Sequence, residues 1–278
     1  MAKKEIYVNL KRFDIPKELG GVNSISKVEN WAKTIISNVD ELLEEYGKEA
    51  RFTFLFPELH IISAVAAKSE KSVVEIGCQG VHREDVEEGK NFGAFSTQRT
   101  AKAMQAAGVS TTMIGHCEER NDKKNLLRLA GVEDFAVIHQ VLREEVLTAQ
   151  KAGLHVLFCV GETMEEQGRW QEVLRMQLTE GLQGADLEKV TIAYEPVWAI
   201  GPGKTPPGQE YIRMISEYIK EVMGDIPVVY GGGLKKDNAK MLSSIESIDG
   251  GLIALTRFQG DIGFYPEEYL EIVGEYLA

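Results

Sequence analysis

The sequence predicts an α/β protein, a (β/α)8 barrel in a single domain spanning residues 1–278. Three observations support this fold class. Short β-rich runs alternate with longer amphipathic segments along the whole chain. There are eight runs of each kind, and 278 residues is a typical length for such a barrel. An open doubly wound sheet would show the same local alternation, because periodicity does not report closure, but the count and the length favour the barrel.

The predicted strands are short runs rich in β-branched and aromatic side chains. In chain order they are Ile6 to Leu10, Arg51 to Phe56, Val73 to Ile76, Thr111 to Ile114, Val156 to Val160, Val190 to Tyr194, Pro227 to Tyr230 and Gly251 to Ala254. The predicted helices have apolar residues three or four positions apart. They are Val22 to Tyr46, Ile61 to Ser69, Gln98 to Ala107, Ile138 to Ala152, Trp170 to Leu182, Glu210 to Val222, Lys236 to Ser244 and Glu267 to Tyr276. Two long loops, Gly77 to Ser96 and His116 to Val137, are candidates for function.

The composition excludes several classes of partner. The 43 acidic side chains outnumber the 31 basic ones, so the net charge of −12 leaves no general cationic surface for nucleic acid or an anionic membrane. Cys78, Cys117 and Cys159 are odd in number and lack metal-ligand spacing, which predicts reduced thiols and no metal site. No apolar run approaches the ~18 to 20 residues of a spanning helix, and no signal segment is recognisable. We therefore expect a cytoplasmic protein.

Polar residues and glycines follow the predicted strands. In a barrel the C-terminal ends of the strands form the catalytic face. The residues at or just beyond those ends are Asn9, Lys11, Gln79, Gly115, His116, Glu118, Gly161, Glu162, Glu195 to Thr205, Gly231 to Gly233, Thr256 and Arg257. Titratable side chains are thus concentrated at one end of the barrel.

The segment from Glu195 to Thr205 has the composition of a hinged lid. A carboxylate follows a strand, Pro196 stiffens the next position, four apolar residues come after it, and a Gly-Pro-Gly turn leads towards the next helix. Such a segment can close over a pocket and exclude water, which would bury Glu195 and raise its basicity. An ordinary glutamate at a strand end remains the alternative.

His116 and Lys11 are the other candidate reactive groups. His116 lies between a strand and a helical turn, where the helix N-terminus disfavours a positive charge, so the neutral ring can donate to a carbonyl. Lys11, with Asn9 beside it, would face the barrel mouth and stabilise a phosphate or a developing oxyanion. A satisfied loop histidine and a solvated lysine are the alternatives.

Glycines mark a candidate phosphate site. Gly231, Gly232 and Gly233 follow one strand and precede a helix, and Gly250 and Gly251 surround the last strand. Glycines permit close approach of the backbone, and a helix N-terminus offers N–H groups to an anion. A tight turn without a ligand would have the same composition.

These motifs together resemble one family. They are Asn9-x-Lys11, Gly93-Ala94-Phe95, Ile114-Gly115-His116-x-Glu118-x-Arg120, Cys159-Val160-Gly161-Glu162, Tyr194-Glu195-Pro196-Val197-Trp198-Ala199-Ile200-Gly201 with Gly203-Lys204-Thr205, and Tyr230-Gly231-Gly232. In this order they resemble the triosephosphate isomerase family over essentially the whole chain. The resemblance implies the TIM barrel fold, a sugar-phosphate substrate, no cofactor and no metal.

The resemblance also implies the role of each residue. Glu195 would be the base that moves a proton between adjacent carbons, and His116 would polarise the carbonyl. Lys11 and Asn9 would stabilise the enediolate, and Glu118 would be the family's carboxylate near Lys11. The phosphate would be bound by Lys11 and by backbone near the glycines Gly201, Gly232 and Gly233.

The sequence departs from the family near the phosphate site and beside the histidine. Cys117 and Gly233 stand where serine is usual, and Ala254-Leu255 replaces a Gly-Gly pair, with Thr256 and Arg257 next. Arg257 is predicted to bind phosphate through its side chain or to contact a longer substrate; the alternative is that it points outward.

Three functions are compatible with this sequence. The first is an isomerase that interconverts dihydroxyacetone phosphate and glyceraldehyde 3-phosphate in glycolysis and gluconeogenesis. The second is an isomerase of a four-carbon ketose phosphate, such as erythrulose phosphate, in polyol catabolism. The third, a non-catalytic sugar-phosphate-binding barrel, fits less well because all the reactive positions are retained.

The resemblance further implies a homodimer. Members of the family dimerise by inserting a loop into the neighbour's site, and the corresponding loop here, Val81 to Asn91, is longer and more charged. The segment Asn121 to Asp134 also extends the chain after Arg120. We therefore expect a homodimer whose interface departs in detail from the usual arrangement.

Overall fold

Eight parallel strands close into a barrel in chain order. A computed structural model describes residues 3–201 and 203–278. Its strands are β1 (Lys4–Asn9), β2 (Ala50–Phe56), β3 (Val74–Cys78), β4 (Thr111–Ile114), β5 (His155–Val160), β6 (Val190–Tyr194), β7 (Val228–Tyr230) and β8 (Gly250–Ile253). Each strand pairs with the next, and β8 pairs with β1. The predicted (β/α)8 barrel is confirmed, and the open sheet is excluded.

Nine α-helices occur in the described part of the chain. They are α1 (Trp31–Leu43), α2 (Ile61–Ala66), α3 (Ala101–Ala106), α4 (Cys117–Leu129), α5 (Val137–Lys151), α6 (Trp170–Gly181), α7 (Gln209–Met223), α8 (Ala239–Ser243) and α9 (Pro266–Leu277). Seven connections contain one or more of these helices lying outside the barrel, and α9 follows the last strand. Within residues 3–201 and 203–278, no helix combines the length and the apolar character needed to cross a membrane.

The first helix begins later than predicted. The expected helix started at Val22, but α1 starts at Trp31. The amide of Asn23 is the reason, since its nitrogen donates to the carbonyls of Asp14 and Ser26. Its oxygen accepts from the backbone of Ile25. A side chain that bonds the local backbone in this way competes with helix formation.

The predicted loop His116 to Val137 was wrong in its first half, because this segment forms α4. No residue of α4 is buried, so the helix lacks the apolar periodicity by which sequence patterns reveal helices. Local interactions stabilise it instead. The His116 ring accepts from the backbone N–H of Glu118, and Glu118 and Glu119 place negative charge in the first turn, where the helix dipole favours it.

Alternation along the strands determines which side chains face the inside of the barrel. A small interior cluster contains Tyr7, Met113 and Ala193, from β1, β4 and β6. Neighbouring residues such as Ile192 and Tyr194 belong instead to the large core between sheet and helices. A side chain two positions beyond an inward residue faces the same way, which directs Asn9 and Glu195 into the barrel mouth.

The opposite end of the barrel contains a buried carboxyl group. Glu5 is 7% exposed and lines a cavity of about 330 Å³ at the N-terminal ends of the strands. It accepts from the Tyr7 hydroxyl at 3.3 Å and lies 3.5 Å from Arg51. Burial raises the pKa of Glu5 to about 7; Arg51 and Tyr7 lower it, while Glu75 and Asp249 raise it further.

This raised pKa predicts that stability depends on pH. Between pH ~4.5 and ~7 the folded chain binds more protons at Glu5 than the unfolded chain, so stability falls as pH rises through this window. The shift in the Glu5 pKa corresponds to a change of up to about 3 kcal/mol in the free energy of unfolding across this window. Glu5→Gln should remove that part of the pH dependence in urea unfolding at pH 5 and pH 8, with the exposed Glu49→Gln as control. An unaltered pH dependence in Glu5→Gln would contradict it.

Candidate active site

The predicted reactive residues come together at the C-terminal ends of the strands. Asn9 ends β1, His116 follows β4 by two positions, and Glu195 follows β6 directly. Since all strands are parallel, these three positions lie at one end of the barrel. The glutamate, the histidine and Cys117 form a contact group, and Asn9, Lys11 and Glu118 line a cavity beside His116.

Asn9 shapes the turn that carries Lys11. The Asn9 amide is buried, and its oxygen accepts from the backbone N–H of Lys11 at 3.1 Å. Lys11 has a φ of 43°, in the left-handed region that non-glycine residues seldom adopt. Gln79, just after β3, donates to the carbonyl oxygens of Lys11 and Leu55 at 3.1 and 3.2 Å. Gln79 thus supports the lysine turn; it was recognised as a strand-end residue but not predicted to belong to the site.

His116 is held in one tautomer by its neighbours. Its Nδ1 accepts from the backbone N–H of Glu118 at 3.3 Å, so the proton of a neutral ring lies on Nε2. Nε2 lies 3.3 Å from Oε1 of Glu195. The ring therefore directs an N–H donor towards the carboxylate.

Glu195 is a buried carboxylate with a partner for each oxygen. It is 2% exposed; Oε1 faces His116, and Oε2 accepts from the backbone N–H of Cys117 at 2.9 Å. Burial raises the pKa of Glu195, opposed by His116, the Cys117 N–H and Lys11. A raised pKa makes the carboxylate a stronger base.

Two glycines leave room for Glu195. A Cβ on Gly161 would lie 1.8 Å from the Glu195 carbonyl oxygen, and one on Gly231 would lie 2.9 Å from its Cγ. Neither distance is compatible with any other residue unless the backbone moves. Both glycines were recognised as strand-end residues, but this steric requirement is visible only in the packed barrel.

The peptide before His116 is fixed from both sides. Glu119 accepts from the N–H of Gly115 at 2.7 Å, while Arg120 donates to its carbonyl at 2.7 Å and to that of Cys159 at 2.8 Å. Lys123 bridges Glu119 and Glu145 at 2.8 and 3.2 Å. Glu119 was not predicted; its position in the first turn of α4 becomes informative only once that helix is known.

The second carboxylate of this network is unusually basic. Burial and the neighbouring Glu119 raise the pKa of Glu145 to about 9, against the opposing charge of Lys123. A neutral Glu145 can donate a hydrogen bond to Glu119, which keeps the latter ionised as the acceptor of Gly115 N–H. Glu119 is thereby kept as the acceptor that holds the His116 loop through the Gly115 N–H.

A second buried carboxylate, that of Glu162, binds the predicted lid. Val197–Ala199 form one turn of 3-10 helix after Pro196. Oε1 of Glu162, a fully buried residue, accepts from the Trp198 indole at 2.7 Å and from the hydroxyls of Tyr194 and Tyr211 at 3.0 Å each. Burial raises the pKa of Glu162, and these three donors oppose the rise. Pro202, part of the predicted lid, lies outside the described residues.

The predicted phosphate-binding glycines lie on two loops. Gly201 has a φ of 118° and is exposed on the lid, and Gly233 has a φ of 101° after β7. Both angles favour glycine. A Cβ on Gly232 would lie 2.2 Å from the Tyr230 hydroxyl. Their backbones are thus able to adopt turns that other residues resist, and phosphate binding by them stays a prediction.

Arg257 has other partners in this structure. Its guanidinium donates to Glu268 on α9 at 2.7 Å and stacks over the Tyr265 ring at 3.7 Å. It does not line the cavity described below. Its predicted contact with phosphate would require it to leave both partners, and stays a prediction.

A cavity of about 470 Å³ opens beside His116. Its walls include Asn9, Lys11, Gln79, His116, Glu118 and Asn125. Glu118 was predicted to lie near Lys11, and both residues line this cavity. In the described structure they form no ion pair, because the Lys11 ammonium nitrogen and the Glu118 carboxylate oxygens are more than 4.0 Å apart. The walls carry amide, ammonium, imidazole and carboxylate groups, so the cavity suits a polar occupant.

Comparison with known proteins gives a consistent result. The family model described as triosephosphate isomerase matches residues 25–263. A triosephosphate isomerase of Parasynechococcus marenigrum is 34% identical over 213 residues, covering 75% of this chain and 80% of its own. One of Cytophaga hutchinsonii is 32% identical and covers 99% of this chain and 100% of its own. The crystal structure of triosephosphate isomerase from Bartonella henselae superposes with a TM-score of 0.71 at 25% identity, covering 99% of both chains.

Proposed function

Because the chain belongs to the triosephosphate isomerase family and is an isomerase, we propose that it interconverts dihydroxyacetone phosphate and glyceraldehyde 3-phosphate through an enediolate. One observation carries the proposal: a buried carboxylate, Glu195, lies 3.3 Å from an imidazole N–H donor at the mouth of the barrel. The reaction needs a base for a proton on carbon and a donor for the adjacent oxygen. We also propose a cytoplasmic location and a role in glycolysis and gluconeogenesis, which use both triose phosphates.

Glu195 would act as the base. In this structure, both of its oxygens have partners, His116 and the Cys117 N–H, so the carboxylate must leave His116 before it can act on a substrate. A substrate carbonyl that accepts from His116 Nε2 replaces Oε1 of Glu195 as the acceptor, and the released carboxylate turns to the substrate carbon. It removes a proton from one carbon and returns it to the next. The hydroxyl proton on the first oxygen passes to the second oxygen by way of His116 Nε2, so the enzyme is unchanged after each turnover.

His116 and Lys11 would stabilise the negative charge that develops on the substrate oxygens. The Nε2–H group of a neutral ring donates without carrying a charge of its own. Lys11 supplies the positive charge and, with Asn9, lines the wall next to His116. The apolar lid segment would then close over the substrate, exclude water and protect the enediolate from side reactions.

Substrate length tests the proposal. Purified protein should turn over dihydroxyacetone phosphate at least about tenfold faster, in kcat/KM, than a four-carbon ketose phosphate, because an extra carbon in a fitted pocket typically costs this much. A preference for the four-carbon compound would contradict it.

Arg257→Ala checks the predicted phosphate contact. A raised KM for the triose phosphate would support that contact. Lys236→Ala, which removes an exposed lysine paired with Glu271, serves as a charge-matched control.

The cavity beside His116 supports a homodimer. The 79–100 loop contains neither helix nor strand and exposes the Phe92 ring, which is 87% accessible. In the dimer that we propose, the exposed tip of this loop in each protomer packs against the rim of the other protomer's 470 Å³ cavity and leaves the interior of the cavity open to small solutes. Light scattering should give twice the chain mass of 30.9 kDa. Phe92→Asp should shift the mass towards the monomer and lower turnover, and a wild-type protein that is monomeric would contradict the proposal.

A further inference from the structure

Three different metal-ligand atoms meet at the candidate active site. The Cys117 sulfur lies 3.9 Å from His116 Nε2, which lies 3.3 Å from Oε1 of Glu195. One ligand atom from each of the three side chains lies within 4.8 Å of the other two. Spacing along the chain conceals this group, because Glu195 is 78 positions from Cys117.

These distances suit a tetrahedral metal ion. With metal bonds of about 2.3 Å to sulfur and about 2.0–2.1 Å to nitrogen or oxygen, tetrahedral edges come to roughly 3.4 Å for N···O and 3.6 Å for S···N. The observed 3.3 and 3.9 Å are within a few tenths of an ångström of those values. The third pair, sulfur and carboxylate oxygen, lies within 4.8 Å and would draw together to roughly 3.6 Å as the metal binds. A thiol, an imidazole and a carboxylate select Zn²⁺ or a similar soft cation over Mg²⁺.

We propose that His116, Cys117 and Glu195 form a binding site for a thiophilic divalent cation, with Zn²⁺ as the type, and that occupation of this site reversibly inhibits the enzyme. Binding would take the imidazole nitrogen and the carboxylate that the proposed isomerisation uses, so metal and substrate exclude each other. The inhibitory part therefore rests on the proposed function. The binding part rests on geometry alone.

The site is accessible and its chemistry balances. His116 lines the 470 Å³ cavity and Cys117 is partly exposed, which gives a metal ion a route to the ligands. When the Zn–S bond forms, the thiol proton is released to solvent. The imidazole proton moves from Nε2 to Nδ1, which ends the 3.3 Å contact from Glu118 N–H, and water completes the fourth position.

The charges around the site make metal binding reversible rather than permanent. Lys11 and Arg120 both act electrostatically on Glu195, and their positive charges oppose a cation beside it. Opposing them, Glu195 contributes a negative charge, and the thiol becomes a thiolate as it binds. We therefore expect an ion that chelators remove and that substrate displaces.

Direct binding comes first. Wild-type protein and Cys117→Ser are titrated with Zn²⁺ by calorimetry, without substrate, after thermal melting has verified that both are folded. One equivalent should bind to wild type, and Cys117→Ser should need at least about tenfold more Zn²⁺ for half occupancy. Equal affinity in the two proteins would overturn the proposal. Co²⁺ added to wild type should produce a thiolate-to-metal absorption band, and its absence would also overturn the proposal, even if the variant failed to fold.

Inhibition is measured separately. Zn²⁺ should raise the apparent KM for dihydroxyacetone phosphate, be reversed by a chelator, and act on Cys117→Ser only at least about tenfold higher concentration; Mg²⁺ at the same concentration should have no effect. Metal binding in a protein without isomerase activity would leave the site standing and remove the proposed function. An active isomerase that binds no Zn²⁺ would do the reverse.

Discussion

Replacing Glu195 by glutamine is expected to lower kcat for triose phosphate by between about 10²- and 10⁴-fold. Glutamine has nearly the same shape and still accepts from Cys117 N–H, but its amide cannot take a proton from carbon. The burial that raises the pKa of the native carboxylate makes it a strong base, and this is lost with the charge. Steady-state kinetics and the incorporation of solvent deuterium into the substrate measure the effect.

The control for this variant is Glu210→Gln. Glu210 lies on α7, its side chain is 83% exposed and it pairs with Arg213, so its charge is far less coupled to the site. The control should retain turnover and deuterium exchange. Both variants should melt within a few degrees of wild type, because neither creates a cavity. Substantial isomerisation and exchange by Glu195→Gln would remove Glu195 as the base.

Replacing His116 by asparagine is expected to lower kcat by about 10²- to 10³-fold, the usual loss when one donor to a developing oxyanion is removed. Asparagine keeps an acceptor for the Glu118 N–H and is a good N-cap residue for α4. Its amide is too short to reach the position of Nε2. The variant thus separates the structural role of the ring from its chemical role.

His116→Ala is the comparison for that variant. Alanine removes the donor and the helix cap together, so it should lose a similar factor in kcat and additionally about 1 kcal/mol of stability. Kinetics and urea unfolding of the two variants provide the measurement. Near-normal turnover in His116→Asn would show that the ring only caps α4, and the proposed polarisation of the carbonyl would then fail.

Local sequence patterns were sufficient to predict most of the strands and helices of the barrel. Strands and helices alternate because each buries a characteristic periodic face, and this periodicity is visible in the sequence. Helix α4 was not predicted because it buries no residue and depends on its N-cap and on the charges of its first turn. The start of α1 was misplaced because the side chain of Asn23 bonds the backbone around it. Both differences arise where local hydrogen bonds, rather than hydrophobic burial, determine the structure.

The sequence by itself determined the fold class, the family and the identity of the strand-end residues, because these depend on periodicity and on short motifs. Only the tertiary structure decided which of those residues touch. It brings Glu195 against His116 and Cys117, engages Arg257 with Glu268, and shows that Glu119 supports the His116 loop. The physical reason is that barrel closure joins strands distant in sequence, so the contacts that set tautomers, raise pKa values and create ligand groups are non-local.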